Sequence, residues 1–443
     1  MKRFAAPAAL SAIVLGTSCG LVETGDDSGD DGFPEYPRPD SVSEVTWEWS
    51  APEGLSVAEV LPVPSGAALA VTDGVIVLDG REGRELWSHR ESDTSTPEVD
   101  VTPDGGTVVL DHPSSQAGAA TLDLRTVVLD ARTGRVKGEY ERAGIEDPGQ
   151  DPVQGYEHAG VLSREHRIRW DEAEGALVAH DLVSGDRVWA LEDPARGDDR
   201  AYTSVIDVRA SSETVFLLGV GYDGSEPDDG EADDVEVSVT ALDASDGEPL
   251  WREGSEVEVS DFGFRMEVDE KDGSLSFLAP GLGWTVLDLG SGEPISTDED
   301  EGEWDPILET GSRGVLRSDI STDEESVSYH WTDLSGEVER RVDVTGRPAE
   351  RDVVAPVDLG DQIIRLDYLV EDSLERGPVT LEAISWDDGT FESIPLGFDL
   401  RGGSSDSEGS PYRLGAPPGL TVVPGAVVVG ERASVTQHLI GIG

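Results

Sequence analysis

One cysteine, Cys19, and seven histidines carry the strongest nucleophilic and metal-ligating chemistry in this sequence. His89, His112, His158, His166, His180, His330 and His438 are dispersed, and none forms the H-x-H or H-E-x-x-H spacing that puts two imidazoles on one metal. His158, His166 and His180 lie near one another in the chain and are read as ordinary strand histidines. The densest carboxylates, at 228–234 and 297–305, are read as solvated loops that collect a divalent cation weakly at most. The Asp run at 26–32 lacks the ligand spacing of a calcium loop. Residues 16–20 spell G-x-S-x-G, but inside an N-terminal apolar run and without the strand-turn-helix setting of a nucleophile elbow. Residues 219–224 spell G-x-G-x-x-G after a strand, yet acidic residues follow instead of a helix, so carboxylates would repel a phosphate. No catalytic, cofactor-binding or metal-ligating residue is therefore assigned.

Cys19 has a clearer setting. Lys2 and Arg3 precede an apolar run, 4–15, that is too short to cross a bilayer and fits the core of a signal peptide. The run ends in Leu15-Gly16-Thr17-Ser18-Cys19-Gly20, which resembles a bacterial lipobox, with Gly16 where a leucine is usual and Leu15 one place further back. The expectation is a lipoprotein signal peptide over 1–18, lipidation at Cys19, and an extracytoplasmic protein tied to the membrane by that lipid. Residues 19–40 are acidic, glycine-rich and poor in apolar side chains, as a flexible tether would be. A single cysteine excludes an internal disulfide framework.

The formal charge is −61, from 93 acidic and 32 basic residues. That excludes nucleic acid as a partner, since its recognition needs a basic footprint. Three lysines (Lys2, Lys137, Lys271) and no asparagine accompany abundant Asp, Glu, Arg and Gly, a composition that fits a GC-rich genome or a saline habitat. Self-repulsion of this size predicts a fold that gains stability with salt.

The rest of the chain is organised by a repeating turn. Asp243 begins a tight Asp-x-x-x-Gly turn ending at Gly247, after an alternating run at 235–240 and before Trp251. The aspartate can accept hydrogen bonds from turn amides, and the glycine can take positive φ. The same turn recurs from Asp79 to Gly83, Asp130 to Gly134, Asp181 to Gly185 and Asp288 to Gly292. Weaker copies run from Asp333 to Gly336 and from Asp387 to Gly389. Successive glycines are 51, 51, 62, 45, 44 and 53 residues apart. An insertion at 222–234, acidic and without strand pattern, accounts for the longest gap. Four strand candidates fill each period, at 158–162, 167–171, 176–181 and 186–192 in one unit and at 204–210, 214–221, 235–243 and 249–253 in the next. A period near fifty with four short strands is the signature of a β-propeller.

Trp87, Trp189 and Trp251 each fall four residues after their turn glycine, which places them alike on the outermost strand. A repeated aromatic of this kind is read as packing between blades. Seven turns give seven units, and strands at 419–423, 426–430 and 434–440 are left over. The alternating run 45–50 is expected to supply their fourth strand, closing an eight-bladed all-β ring over 41–443 without an exposed sheet edge. A seven-bladed ring is the alternative.

Leu242 to Trp251, and more loosely His180 to Trp189, resemble the tryptophan-docking repeat of the PQQ-type, quinoprotein-like β-propellers. That family includes quinoprotein alcohol dehydrogenases, which are enzymes, and the propeller lipoprotein of the outer-membrane barrel-assembly machinery, which is a scaffold. A lipid anchor joined to an eight-bladed ring looks more like the second. With one cysteine the adjacent cysteine pair of the enzymes cannot exist, and no CxxCH haem site is present. The resemblance thus implies no PQQ and no catalytic residue. It implies a non-enzymatic scaffold or ligand binder whose partner is an unidentified extracytoplasmic protein or ligand, with a channel enzyme or a sensor domain as alternatives. Cys19→Ala, or blocking lipoprotein signal cleavage with globomycin, is expected to move the protein out of the membrane fraction or leave its precursor uncut, as read by fractionation and gel mobility.

Overall fold

Short apolar runs, each ended by glycine, aspartate or serine, make strands that fold back on their predecessors. The computed structural model describes residues 33–443 apart from 92–95, 114–120, 147–159, 172–173, 193–201, 223–231, 260–264, 271–272, 280–282, 298–306, 312–313, 322–325, 334–337, 346–355, 368–374, 402–418 and 431–435. Every regular element among these residues is a strand, and the 32 strands form eight antiparallel sheets of four. The protein is an eight-bladed β-propeller. Blades 1 to 7 are consecutive meanders over 57–90, 98–146, 161–192, 202–259, 265–297, 307–345 and 357–401. Blade 8 takes three strands from the C-terminal end, Leu420–Val423, Ala426–Gly430 and His438–Ile442, and its outer strand, Val45–Ser50, from the beginning. The expected closure is thus present, in the register Val45 to Ile442 and Ser50 to His438.

Blades pack face to face, so their middle strands are apolar on both sides. Gly66–Val71 and Gly74–Asp79 of blade 1 are buried at every position. Apolar clusters fill the joints: Leu69, Ile76 and Leu78 of blade 1 meet Val428 and Leu439 of blade 8, and Ala68, Val75 and Val77 meet Val108, Leu110 and Val127 of blade 2.

The recurring turn locks these joints. In blade 1, Asp79 Oδ1 accepts hydrogen bonds from the amides of Arg81 (2.9 Å) and Glu82 (3.0 Å), and the Gly83 amide donates to the Asp79 carbonyl at 2.8 Å. Gly83 has φ of 65°, and a Cβ built there would lie 2.5 Å from the ring of Trp47. Trp47 stands on the closing strand of blade 8 and donates its indole N–H to the Gly80 carbonyl at 2.9 Å.

The neighbouring joints copy this, and the expected packing of the repeated tryptophans between blades is present. A tryptophan does not dock on the turn glycine four residues before it, but on the equivalent glycine of the following blade. Trp87 of blade 1 bonds Ala131 O at 3.0 Å and rests on Gly134 of blade 2. Trp189 of blade 3 bonds Ala244 O at 2.9 Å and rests on Gly247 of blade 4. Trp251 of blade 4 bonds Leu289 O at 3.2 Å and rests on Gly292 of blade 5. The strand carrying each tryptophan leads away from its own turn, so its outer face meets the neighbour. Gly134 and Gly292 have φ of 68° and 72°, and their amides donate to the carbonyls of Asp130 and Asp288, both at 2.8 Å. Asp130, Asp181, Asp243 and Asp288 all accept turn amides on their carboxylates as Asp79 does.

Other joints vary the plan. At the tryptophan position of blade 2 stands Gly138, where a side chain would collide with the Val183 carbonyl, and Tyr140, two residues on, covers Gly185 instead. In blade 7 the turn position expected for Asp387 belongs to Ser385, whose carbonyl accepts the Gly389 amide at 3.0 Å and whose Oγ accepts the Asp387 amide. Val342 of blade 6 lies against that glycine. Of the turn from Asp333 to Gly336, Asp333 ends the strand Ser326–Asp333, and 334–337 lie outside the described residues. The stretch 222–234, expected to lack strand pattern, carries strand at both ends: Tyr202–Ala210 pairs with Thr214–Tyr222, which pairs with Ala232–Asp243. Hydrogen-bonded pairing outlasts the apolar alternation there.

Of the expected tether, residues 33–40 are described, and they lie on the ring. Glu35 pairs with Arg132 at 3.4 Å. Tyr36 donates to Asp79 Oδ2 at 3.1 Å, beneath the Arg81 guanidinium 4.6 Å from its ring. The Pro37 carbonyl accepts from the Gly425 amide, the Asp40 carbonyl from the Asp361 amide, and the Val42 amide bonds the Gln362 side chain at 2.9 Å. This strap therefore crosses the tight turns of blades 2, 1, 8 and 7 before entering the closing strand. Trp47→Ala removes a buried ring from the seam and is expected to cost about 3–5 kcal/mol, measured by denaturant unfolding.

Candidate functional site between blades 2 and 3

The joint between blades 2 and 3 carries a buried polar network. Cross-strand register puts Glu98, Asp111, Thr126 and Tyr140 in a single row over the four strands of blade 2, so they share a face. Asp100 and Arg142, each two residues along a strand from this row, lie on the same face. Blade 3 answers with Arg167 on the strand His166–Asp171, 1% exposed. An ionised side chain so deep persists only when paired and hydrogen-bonded. Asp111, 3% exposed, provides this. Its Oδ2 accepts from Arg167 Nη1 and lies 2.8 Å from Arg142 Nη2, while its Oδ1 accepts from Thr126 Oγ1 at 2.5 Å. Arg142 Nε donates in turn to Thr126 Oγ1 at 3.1 Å, leaving its Nη1 buried without a hydrogen bond among the described residues.

Two guanidiniums thus share one carboxylate, and the groups beside them feel the surplus. Burial works against the charge of Asp111, but Arg167, Arg142 and the bond from Thr126 outweigh it, so its carboxyl stays below its ordinary value. Asp100 and Glu98 on the inner strand Glu98–Val101 are displaced the other way. Burial pushes both up, and Asp111 adds to it, against the pull of Arg167 and Arg142. Glu59 on the innermost strand of blade 1 is raised by burial and by Asp100. Carboxyls displaced upward beside fixed cations are equipped to hold a proton or to hydrogen-bond a polar ligand. A second charged joint lies between blades 6 and 7. Arg365 donates to Glu382 Oε2 at 2.8 Å and to the Tyr329 hydroxyl at 2.7 Å, with Arg365 and Glu382 both buried.

The sequence-derived candidates fall elsewhere. Cys19 and His158 lie outside the described residues. His166 pairs with Asp181, and His180 pairs with Arg167, so these two histidines point to opposite faces of blade 3 and do not meet. Gly219 and Gly221 sit inside a paired strand, with no helix after them among the described residues. Most of 228–234 and 297–305 is outside the described residues, and among the described ones no group of three or more His, Cys, Asp or Glu is arranged to hold a metal ion. The repeat residues, Asp130 with Gly134 and Asp288 with Gly292 among them, serve the blade joints and take no part in this site. Asp111 and Arg167 were missed by the motif reading. The available signal was Asp111 directly after the apolar stretch Val108-Val109-Leu110, on the strand Thr107–Pro113.

Comparison with known proteins gives the following. No family model matches the chain, and no curated protein matches its sequence. Solved structures do resemble it. BamB from Moraxella catarrhalis is 16% identical with a TM-score of 0.47, over 90% of this chain and 99% of that one. Quinohemoprotein alcohol dehydrogenase ADHIIG from Pseudomonas putida HK5 is 12% identical with a TM-score of 0.42, over 92% and 78%. Quinohemoprotein alcohol dehydrogenase from Comamonas testosteroni is 12% identical with a TM-score of 0.38, over 91% and 76%. The ring itself has eight blades, with tryptophans docked from one blade onto the next.

Opposite pH behaviour is expected of the two kinds of carboxyl. Asp100, raised in the folded state, contributes stability that is present below its unfolded value and lost as pH rises through its folded value. Asp100→Asn should therefore raise stability at pH 7, and the gain should vanish below about pH 4. Asp111→Asn strips Arg167 of its counter-charge and should cost about 3–5 kcal/mol at pH 7. Denaturant unfolding at both pH values measures each.

Proposed function

We propose that this chain is a lipid-anchored extracytoplasmic scaffold, a non-catalytic propeller that binds a protein or another extracytoplasmic ligand. The observation that carries the reading is the route of the chain into the ring. An apolar run, 4–15, and then Cys19 precede residues that, from Glu35 onward, are fastened across the tight turns of four blades. Such an entry fastens the described beginning of the chain to the ring. The charged groups at the joint between blades 2 and 3 support the same reading, because Asp111 and Arg167 are spent on each other across it.

A channel enzyme is the second reading, favoured by Glu98 and Asp100, whose carboxyls burial holds above their ordinary values on an innermost strand. The two separate by experiment. Crosslinking on intact cells is expected to capture a defined extracytoplasmic partner, with capture unchanged in Asp100→Asn. Saturable binding of PQQ with calcium, together with dye-linked turnover that Asp100→Asn abolishes, would instead establish the enzyme.

A further inference from the structure

The joint between blades 1 and 2 ends, beyond Trp87, in a polar cap that the packing of the ring does not require. His112, on the strand Thr107–Pro113, is 2% exposed, and neither ring nitrogen has a hydrogen bond among the described residues. Above it, from blade 1, come His89 on the outer strand Glu85–Arg90 and Glu91 just after it, with His89 Nε2 3.5 Å from Glu91 Oε1. From blade 2, Arg125 stands directly across the strand pair from His112. Arg125 binds Glu91 Oε2 across the joint at 2.6 Å and Glu139 of its own blade at 2.8 Å. Among the described residues, the other charges nearby are engaged elsewhere or exposed. Arg90 and Asp73 pair with each other at 2.8 Å, Asp111 serves the opposite face, and Glu141 is exposed beside Arg125.

We propose that this cap is an acid-sensitive seam: protonation of His112 loosens blade 1 from blade 2. The neutral imidazole fits a site that leaves it only 2% exposed. The imidazolium would bring two N–H donors where neither ring nitrogen now has a partner, and a second cation beside Arg125. Among the described residues, Glu91 is the carboxylate of blade 1 that acts on His112 and binds Arg125. It cannot serve the imidazolium fully without releasing the Arg125 bond that spans the joint.

The sign follows from these surroundings. Burial lowers the His112 value, Glu91 opposes, and Arg125 and His89 reinforce the lowering. The unfolded chain therefore binds the proton more readily, and stability falls as pH drops through the ordinary histidine range near 6.5. Glu91 is held below the usual carboxylate range by its bond from Arg125, so its own loss comes at lower pH and does not overlap.

The test follows thermal unfolding of the full chain between about pH 8 and pH 5.5, for the wild type and for His112→Leu. The wild type is expected to lose melting temperature steeply over that range, and His112→Leu to lose markedly less. Should the variant fold poorly, hydrogen exchange on the wild type, corrected for intrinsic rates, decides. Protection of Glu85–Arg90 should fall about tenfold more on acidification than that of Pro249–Val259, the corresponding strand of blade 4, which has no histidine. Equal pH slopes in both proteins, or equal loss of protection in the two strands, would overturn the proposal.

Discussion

An indole resting on a glycine of the next blade is the contact on which this ring depends. It needs two things from separate parts of the chain: a turn with no Cβ at its fifth position, and a carbonyl at its second position free to accept the indole N–H. The aspartate at the first position supplies both conditions indirectly. By taking the turn amides on its carboxylate, it fixes the conformation that gives glycine its positive φ and turns the next carbonyl outward. Each such joint is apolar in bulk and polar at one point, which gives it area for stability and a hydrogen bond for register.

The two charged joints show what happens when that scheme is relaxed. Blade 2 has no tryptophan on its outer strand, and Gly138 lets the backbone of Val183 come so close that no side chain fits. The apolar cluster between blades 2 and 3 is correspondingly small, built on Val109, Val128, Leu162 and Leu182 with Tyr140 alongside. Part of the inner space that apolar packing fills at other joints is taken here by Asp111, Thr126, Arg142 and Arg167. Such a network adds little net stability over hydrophobic packing, but a missing partner is heavily penalised. Blade 2 thus sits between a joint that acid should weaken and one whose inner carboxyls acid should relieve.

What could be read from the chain was local. Asp, Gly and Trp at fixed spacing lie within one turn and one strand, so the repeat was visible, and with it the blade count and the closing role of Val45–Ser50. Which glycine each tryptophan covers was not visible, because Trp87 reaches Gly134 and Trp251 reaches Gly292 only across a joint. Trp47 takes the same role as Trp87, but no turn precedes it, because its blade draws strands from both ends of the chain. Ser385 does part of an aspartate's work with a hydroxyl, and Tyr140 does part of a tryptophan's work two residues late. The buried charges were hidden for another reason. Asp111 and Arg167 are 56 residues apart and meet only when two blades are set side by side. His112 looks ordinary until the strand above it is in place.

The strap also bears on how the ring carries load. Its contacts run in series along the turn side, from Arg132 through Asp79 and Gly425 to Asp361 and Gln362. Tension applied at residue 33 reaches these fastenings one after another before it reaches Val45–Ser50. The six-residue closing strand, which would unzip readily if peeled from its end, is thereby shielded behind an anchorage spread over four blades.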